Sequence, residues 1–578
     1  MIKIEKDFYK EDNFYNKDIY EKFEEDIMNY INEYKKEEYY KIIEKDKRTN
    51  IVQVFSEMNS NIVKWYDFDE NKKILEIGAN YGEVTQELVN KCKNVTSIEF
   101  SKNKIDCIEK RLEDSKNLKL ILCSNLAEQK LNEKYDYIVI IGTAEYANKI
   151  GFKNIDDMLK WALKYLNKDG KILMAIDNKF GVKYLAGSIR NKEEVPFANY
   201  KPYITKDYKM YGKNELEQVL ESNNVKYKFY YPVPNYKLVN LIYTDNYLPN
   251  KGEYNIYYKE DEEILFNELS FINEAVKNNS FQTFTNSYFI EISKEDLDKN
   301  NIYFVKYSNM RKEEYKIITK IEKEHVTKQA RSEKSIKHLK NIQDNIELLK
   351  KIKLNICERP EENTIQSNYI LKPTMDEYLA KLVKEDKIEE IYEELYKWEK
   401  FLKEKFSVQT NQEECTIFEK YDIKIDKENL TILKDGFFDL TFPNIFYDGT
   451  EEYIVFDQEW YEKNIPLEFI LYRAIKQLFF KYNYLKEKIN ENDLYEKYNI
   501  SNFIKEFDEL EKKWQNTLID YDILNFYNEK CSRIISIEDI KFKYTQQIGK
   551  LYKENEELKL ENEELKKQLE KKNKWRFI

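Results

Sequence analysis

One stretch of sequence decides the expected fold: Ile74-Leu75-Glu76-Ile77-Gly78-Ala79-Asn80-Tyr81-Gly82-Glu83-Val84-Thr85. Its apolar start predicts a buried strand, and the residues after Gly82 have the spacing of an amphipathic helix. A glycine-containing turn between a strand and a helix lets backbone N–H groups approach a ligand closely. Glu99 ends the next predicted strand, 21 residues after Gly78. A carboxylate at that position can accept hydrogen bonds from both hydroxyls of a ribose, so the stretch predicts a nucleoside site.

Outward from this stretch, short apolar strands alternate with amphipathic helices. The predicted strands are Lys73–Ile77, Asn94–Glu99, Leu118–Cys123, Tyr135–Ile141 and Lys171–Ile176. The predicted helices are Gly82–Lys91, Lys102–Leu112, Asn154–Leu166 and Leu216–Asn223. Regular alternation indicates βαβ units and a parallel sheet. The run at 229–234, rich in Tyr and Pro, is expected to close the same sheet as its edge.

With these motifs in order, residues 72 to about 245 resemble the class I S-adenosylmethionine-dependent methyltransferases. The resemblance implies an α/β fold, a Rossmann-like seven-stranded sheet with S-adenosylmethionine at the C-terminal ends of its strands. It assigns the cofactor to Glu76, Gly78, Ala79, Asn80, Gly82, Glu99 and Asn125, the last lying near the adenine. Many relatives carry Gly where this chain has Asn80, and Asn tolerates the left-handed backbone that a glycine would adopt. The alternative is a Rossmann fold for another nucleotide; a dehydrogenase usually has a third glycine where Thr85 stands.

Polar residues after the fourth and fifth strands are the candidates for the methyl-acceptor side. Glu145 and Asp177 are the candidate catalytic residues, and Lys179, Lys183 and Arg190 could hold an anionic acceptor. Each also suits a capping or loop-fixing role. The only histidines of the chain, at 325 and 338, lie outside this region. Either a carboxylate therefore acts as the general base, or the acceptor is already nucleophilic, as a phosphate, carboxylate or neutral amine is.

A second set of chemistry-bearing residues follows the predicted strands Leu430–Leu433 and Tyr453–Phe456. Asp439, Asn444 and Asp457 have a spacing that phosphoryl transfer explains, with one acid for the acceptor proton and an Asn and an Asp for Mg²⁺. They resemble the α+β protein-kinase-like fold of aminoglycoside and lipopolysaccharide-core sugar kinases. That resemblance makes Asp439 the base, Asn444 and Asp457 the metal ligands, and Lys328 the third-strand lysine that contacts ATP, with Glu333 as its helix partner.

Two departures from the kinase pattern leave a binding module without activity open as an alternative. Phe437 and Phe438 stand where a His or Arg commonly precedes the catalytic Asp. No glycine occurs between Gly252 and Gly436, so a glycine-rich phosphate loop is absent from the sequence there.

The C-terminal tail has a heptad pattern. Ile548, Leu551, Asn555, Leu558, Asn562, Leu565 and Leu569 recur at alternating spacings of three and four. This pattern is typical of a coiled coil, and Asn at two a positions favours a parallel two-stranded register, which predicts a homodimer. The alternative is a single solvated helix. The closing residues 571–578 mix cations with aromatics and could make at most a peripheral contact with anionic lipid.

Composition narrows the classes of function further. The chain has 578 residues and a net charge of −11, which disfavours a general affinity for nucleic acid. It has no run of 18 apolar residues and no secretory stretch at its start. Six scattered cysteines without a CxxC pair suit a reducing cytosol and disfavour a structural zinc. We therefore expect a cytoplasmic protein.

The expected organisation has four units: a helical segment at 1–60, a methyltransferase domain at 61–250, a kinase-like domain at 264–535 and a coiled coil at 541–574. This order resembles the bifunctional enzymes that terminate bacterial O-antigen chains, which phosphorylate a terminal sugar and methylate the phosphate. The expected function is methylation of a bacterial surface glycan or its precursor. The alternatives are a bifunctional kinase/methyltransferase and a non-catalytic scaffold that retains a cofactor pocket.

Overall fold

The fold is taken from a computed structural model, which describes residues 3–6, 17–189, 196–200, 208–250, 263–297, 301–450, 452–521, 524–525, 533–534 and 536–575. The strands are β1 (Lys3–Lys6), β2 (Lys73–Ile77), β3 (Asn94–Glu99), β4 (Leu118–Leu122), β5 (Tyr135–Ile141), β6 (Leu166–Asp177), β7 (Lys226–Val233), β8 (Leu241–Thr244), β9 (Glu263–Ile264), β10 (Ser287–Ser293), β11 (Ile302–Tyr307), β12 (Ile317–Glu322), β13 (His325–Ala330), β14 (Asn355–Ile356), β15 (Glu358–Pro360), β16 (Thr364–Asn368), β17 (Ile432–Phe437), β18 (Ile445–Phe446), β19 (Ile454–Val455), β20 (Tyr461–Pro466) and β21 (Arg533–Ile534).

The α-helices are α1 (Lys17–Glu33), α2 (Tyr39–Lys45), α3 (Thr49–Phe55), α4 (Asn61–Lys64), α5 (Glu83–Lys91), α6 (Lys102–Arg111), α7 (Ile155–Tyr165), α8 (Val182–Leu185), α9 (Lys213–Ser222), α10 (Glu268–Lys277), α11 (Phe281–Phe284), α12 (Ile336–Lys351), α13 (Met375–Lys384), α14 (Ile388–Phe406), α15 (Ile417–Lys420), α16 (Leu467–Lys481), α17 (Glu491–Lys497), α18 (Ile504–Leu518) and α19 (Ile537–Trp575).

The Rossmann-like part of the fold is confirmed. The strands β4-β3-β2-β5-β6 lie side by side in that order and pair in parallel. The predicted strands and helices from Lys73 to Asn223 are all present, with ends that shift by a few residues. Ile74, Leu75 and Ile77 of β2 are completely buried, as expected for a parallel strand whose two faces are both covered by helices.

The expected boundary between the first two large units does not coincide with an edge of the sheet. Strand β10, assigned from sequence to the unit at 264–535, lies between β6 and β7 and is antiparallel to both. Its Glu291 is fully buried and accepts hydrogen bonds from Tyr66 (2.7 Å) and Tyr230 (3.0 Å), while Lys171 Nζ lies 2.5 Å from it. The seven neighbouring strands β4-β3-β2-β5-β6-β10-β7 therefore need residues from beyond 264.

The run at 229–234 was expected to form a sheet edge, and that expectation is wrong. Strand β7 pairs on its far side with β8, and β8 pairs with β11. The antiparallel strands β11-β12-β13-β16-β15 continue the same sheet, so fourteen strands of the described chain form one sheet. The free backbone groups at the edge of β8 are thus satisfied by a strand from the second half of the chain.

The N-terminal segment also differs from the purely helical expectation, because Lys3–Lys6 forms β1. This strand pairs in parallel with β4 at the opposite edge of the sheet. An edge strand presents unpaired N–H and C=O groups, and a short extended segment satisfies them whatever its own helical propensity. Beyond it, α1 and α3 pack with the loop after β2 around Ile27, Ile51 and Phe55.

The second half of the chain has a core of its own. Helices α13, α14, α16 and α18 surround buried residues such as Trp398, Phe437 and Phe469. The small sheets β17-β20 and β14-β19-β18 lie at this core. They place Asp439 just after β17 and Asp457 just after β19, and Asp457 contacts Lys328 of β13.

The last helix, α19, spans 39 residues. The apolar side chains of its heptad positions are largely exposed, as Leu551 (63%) and Leu558 (57%) illustrate. Among the described residues, no helix is both long and apolar enough to cross a lipid bilayer. Residues 576–578 of the basic and aromatic terminus lie outside the described residues.

Candidate functional site: a cavity at the loop after the first strand

The loop after β2 takes the shape that its residues predict. Gly78 has φ +79° and Gly82 has φ +85°, and Asn80 between them adopts φ 52°, the left-handed conformation expected of it. A Cβ on Gly78 would lie 2.0 Å from Thr143 Oγ1, so only glycine fits there. The N–H of Gly78 donates to the carbonyl of Ile98 (2.8 Å), which ties the loop to β3.

Glu99 ends β3 directly beside this loop. Its carboxylate accepts hydrogen bonds from the backbone N–H of Asn80 (2.7 Å), Phe100 (2.8 Å) and Ser101 (3.1 Å). The residue is 3% exposed. Three backbone donors hold the carboxylate in one orientation, so its acceptor lone pairs point in fixed directions.

Glu76 is a second buried acid at the same place. Its Oε2 accepts hydrogen bonds from Thr85 Oγ1 (2.7 Å) and Ser97 Oγ (2.6 Å). Burial raises the pKa of Glu76 to about 7, although these two donors oppose the shift. A buried carboxyl with a raised pKa ionises more readily when a cation is placed beside it.

A cavity of about 320 Å³ opens at this loop, within the size range of small-ligand sites. Of the predicted cofactor residues, Glu76, Gly78, Ala79, Asn80 and Glu99 line it. Sequence reasoning missed further lining residues: Phe23, Asn50, Gln53, Asn59, Thr143, Tyr236 and Lys237. Thr143 follows the fourth strand of the Rossmann-like part, which was a usable signal, whereas nothing in the sequence connects Phe23 or Tyr236 to this loop.

The N-terminal helices form one wall of the cavity. The Phe23 ring packs edge-on against Tyr81 of the loop, with 6.1 Å between ring centroids. Glu24 accepts a hydrogen bond from Asn103 Nδ2 (2.7 Å), which joins α1 to α6. The ammonium of Lys104 lies 5.0 Å from the centre of the Tyr81 ring. The helical segment expected at 1–60 therefore contributes residues to the cavity.

Two predicted cofactor residues do not line the cavity. Gly82 caps the N-terminus of α5, where its positive φ is required. Asn125 donates from Nδ2 to Glu128 Oε1 (2.9 Å), and its Oδ1 lies against Gly151. A cavity residue, Ile150, accepts the N–H of the residue after Asn125 (2.9 Å), so Asn125 supports the wall from behind.

The two predicted catalytic residues are brought together but lie outside the cavity lining. Glu145 Oε1 accepts the backbone N–H of Asp177 (3.0 Å), and Lys183 Nζ lies 3.8 Å from Asp177 Oδ1. All three are at most 4% exposed. Tyr146, next to Glu145, does line the cavity. Arg190 lies outside the described residues.

The similarity to known proteins agrees with this geometry. A family model described as a methyltransferase domain matches residues 75–172. The chain thus contains a methyltransferase domain at these residues. No curated protein matches the chain.

Among solved structures, the plantazolicin methyltransferase BamL, in complex with a triazolic desmethylPZN analog and SAH, is 13% identical, with a TM-score of 0.26, covering 48% of this chain and 99% of its own. The YcgJ protein of Bacillus subtilis is 11% identical, with a TM-score of 0.26; the match covers 41% of this chain and 99% of that protein. An S-adenosylmethionine-dependent methyltransferase of Clostridium acetobutylicum is 11% identical, with a TM-score of 0.25; the match covers 41% of this chain and 92% of that protein.

Beyond the methyltransferase domain, the residues predicted for phosphoryl transfer gather at a second place. Lys328 Nζ donates to Glu358 Oε1 (2.7 Å) and to Asp457 Oδ1. Burial alone would lower the pKa of Lys328, but the two carboxylates raise it. Glu333, the expected partner of Lys328, is exposed at the start of the turn before α12, and Glu358 takes its place.

Asp439 and Asn444 are hydrogen-bonded to each other, and Asn444 is bonded to the residue before Asp457. Asn444 Nδ2 donates to the backbone carbonyl of Asp439 (3.1 Å), and Phe456 N–H donates to the carbonyl of Asn444 (3.1 Å). Burial raises the pKa of Asp439 to about 7, against the opposing charge of Arg473, whose Nη1 lies 3.8 Å away. An acid with a pKa near neutral is suited to accept a proton at physiological pH.

Sequence reasoning missed Arg311, Glu358, Glu459 and Arg473 at this second place. Arg311, in the connection between β11 and β12, donates to Glu459 Oε2 (2.5 Å). Arg473 is a charged residue within the apolar helix α16, and this pattern could have drawn attention to it. No sequence pattern pointed to Arg311, Glu358 or Glu459. The described residues hold no group of three or more His, Cys, Asp or Glu positioned for a metal. Mg²⁺ on Asn444 and Asp457 would take most of its remaining ligands from phosphate and water.

Proposed function

We propose that the chain is an S-adenosylmethionine-dependent methyltransferase that uses the cavity after β2. The observation that carries this proposal is the convergence of Gly78, Asn80 and Glu99 on one cavity within the methyltransferase domain. The residues fit the cofactor chemically. In this proposal the Glu99 carboxylate, held by backbone N–H groups, accepts the ribose hydroxyls, and Glu76 supplies a buried carboxyl for the ammonium of the methionine part. S-adenosylmethionine would supply the methyl group from its sulfonium.

The acceptor we propose is a bacterial surface glycan or its precursor, carrying a phosphate. The order of methyltransferase domain, kinase-like residues and heptad tail supports this class of acceptor. Two lysines, Lys104 and Lys237, are among the residues that line the cavity. A phosphate oxygen is already anionic, so its methylation needs positioning and no general base.

The cofactor claim is tested by calorimetry with S-adenosylhomocysteine on the full chain. We expect binding by the unaltered protein and by Glu113→Ala, an exposed residue bonded to Lys110. Glu99→Ala should weaken binding at least about 100-fold, because it removes two charge-assisted hydrogen bonds worth about 1.5–3 kcal/mol each. Equal affinities of the unaltered protein and Glu99→Ala for S-adenosylhomocysteine would contradict the proposal.

The acceptor claim is tested separately, with radiolabelled S-adenosylmethionine and matched oligosaccharides with and without a terminal phosphate. Label in the phosphorylated sugar alone supports the proposal. Transfer to neither, together with intact binding of S-adenosylhomocysteine, would leave the non-catalytic scaffold.

The second candidate function is phosphoryl transfer from ATP to the glycan end, which would make the chain a bifunctional kinase/methyltransferase. The contact of Lys328 with Asp457, residues 129 positions apart, favours it, as does Asn444 bonded to Asp439. In this arrangement Asp439 accepts the acceptor's proton, Lys328 contacts the ATP phosphates, and Asn444 and Asp457 hold Mg²⁺.

The measurement is Mg²⁺- and ATP-dependent phosphate transfer to the same oligosaccharide. Asp457→Asn should abolish it, while Asp435→Asn, at the surface of β17, should leave it unchanged. Equal rates for the unaltered protein and Asp457→Asn would leave only a binding module at this place.

A further inference from the structure

Helix α19 presents a continuous apolar line that nothing else in the described chain covers. Along it, Ile548 is 52% exposed, Leu551 63%, Leu558 57% and Leu565 50%. At about 1.5 Å per residue the helix of 39 residues is roughly 58 Å long. An isolated helix with such a line exposed gains nothing from its apolar residues, whereas a matching helix would remove them from water.

The line is the a/d seam of a heptad repeat. Positions a are Ile548, Asn555, Asn562 and Leu569, and positions d are Leu551, Leu558 and Leu565. A seam of this width fits one more helix of the same kind, packed by knobs into holes.

The charges that flank the seam decide which helix fits and in which direction. Within the seam, two g positions are acidic, Glu554 and Glu561. The e position five residues after each of them is basic: Lys559 follows Glu554, and Lys566 follows Glu561. In a parallel, in-register pair each g residue faces the e residue of the other helix five positions on, so every such contact joins Glu to Lys. In an antiparallel pair g faces g and e faces e, which would join Glu to Glu and Lys to Lys.

The two asparagines of the seam point to the same arrangement. In register, the two copies of Asn555 face each other, and so do the two copies of Asn562, and their amides can form hydrogen bonds across the seam. Any slip in register would place an Asn amide against leucine or isoleucine and leave its buried polar groups unpaired.

We propose that α19 of one chain pairs with α19 of a second copy as a parallel, in-register coiled coil. The methyltransferase domains of both copies then lie at the same, N-terminal end of a shared stalk. The seam from Ile548 to Leu569 covers roughly 33 Å of that stalk at about 1.5 Å per residue. This pairing does not depend on activity at the cavity after β2 or at the residues around Lys328 and Asp457.

Oligomeric state is measured by sedimentation velocity on the full chain. The unaltered protein should have twice the 70.4 kDa mass of the chain. Leu558→Lys should reduce it to a single chain. Leu560→Lys is the matched control, because Leu560 is 65% exposed but occupies position f, away from the seam, and it should remain a dimer. A monomeric or trimeric unaltered protein, or dissociation by both variants alike, would overturn the proposal.

Direction and register are measured by oxidative cross-linking of single-cysteine additions. Ile548→Cys and Asn562→Cys should each give a covalent dimer, because both occupy a positions that meet their own copy in a parallel pair. Lys553→Cys at position f and the unaltered protein, with its native cysteines, should not cross-link. An antiparallel pair can link at most one of the two a positions, so a dimer from only one of them would reject the parallel arrangement.

Discussion

Glu76→Gln is the perturbation whose effect the structure specifies in most detail. Glu76 is 2% exposed, and burial raises its pKa from the ordinary 4.5 to about 7. The folded state therefore holds this proton more tightly than the unfolded chain does. Its contribution to stability is fully present below pH 4.5 and is lost as the pH rises through about 7.

The size of this effect follows from the two pKa values. At about 1.4 kcal/mol per unit of pKa, the rise from 4.5 to about 7 corresponds to about 3 kcal/mol of folding free energy lost at alkaline pH. Glutamine has the same shape and no proton to lose, so the variant escapes this loss. We expect Glu76→Gln to unfold at a similar temperature near pH 4.5 and at a higher temperature than the unaltered protein at pH 8.

The assay is thermal unfolding between pH 4.5 and 8.5, with Glu468→Gln as the control. Burial also raises the pKa of Glu468 to about 7, but this residue lies in α16, where it accepts the N–H of Thr431 (3.0 Å). Both variants should flatten the pH profile, and only Glu76→Gln should weaken the binding of S-adenosylhomocysteine, by about tenfold for one charge-assisted hydrogen bond. Parallel pH profiles for Glu76→Gln and the unaltered protein would refute the assignment of a proton to Glu76.

Three further outcomes are expected. A truncated protein of residues 17–250, which lacks β10, should fail to give a cooperative thermal transition. A truncated protein of residues 17–297, which includes β10, should unfold cooperatively. Equal behaviour of the two would contradict the place of β10 in the core. Gly78→Ala should weaken S-adenosylhomocysteine binding at least tenfold by calorimetry, because its Cβ would lie 2.0 Å from a threonine hydroxyl and a left-handed residue costs about 1–2 kcal/mol. Lys328→Met should destabilise the fold by about 3–5 kcal/mol in urea titrations, because it leaves Glu358 buried without its cation, and adding Glu358→Gln should restore most of that loss.

Much of the cofactor loop could be predicted because its chemistry is local. The strand Lys73–Ile77, the glycines at 78 and 82 and the left-handed Asn80 follow from apolar runs and backbone preferences that involve neighbouring residues only. Glu99 follows from the length of one strand–helix–strand unit. In the structure, Glu76, Gly78 and Glu99 line one cavity.

Other features required the folded chain. The sequence of β10 is an ordinary apolar strand, and only the open positions beside β6 and β7 decide that it completes the first sheet. Phe23 reaches the cavity because α1 packs on the loop through Tyr81. Glu358 replaces Glu333 as the partner of Lys328 because β15 and β13 lie on either side of β16.

The sequence by itself thus determined the elements and the local chemistry of this protein: the βαβ order, the glycine-containing loop after β2, the spacing of Asp439, Asn444 and Asp457, and the heptads of the tail. The tertiary structure decided which distant residues share a sheet or a cavity. The physical reason is that periodicity and turn chemistry act over a few residues. The pairing of β10 with β6 or of Lys328 with Asp457 is instead set by which backbone edges and buried charges remain unsatisfied once the rest of the chain has packed.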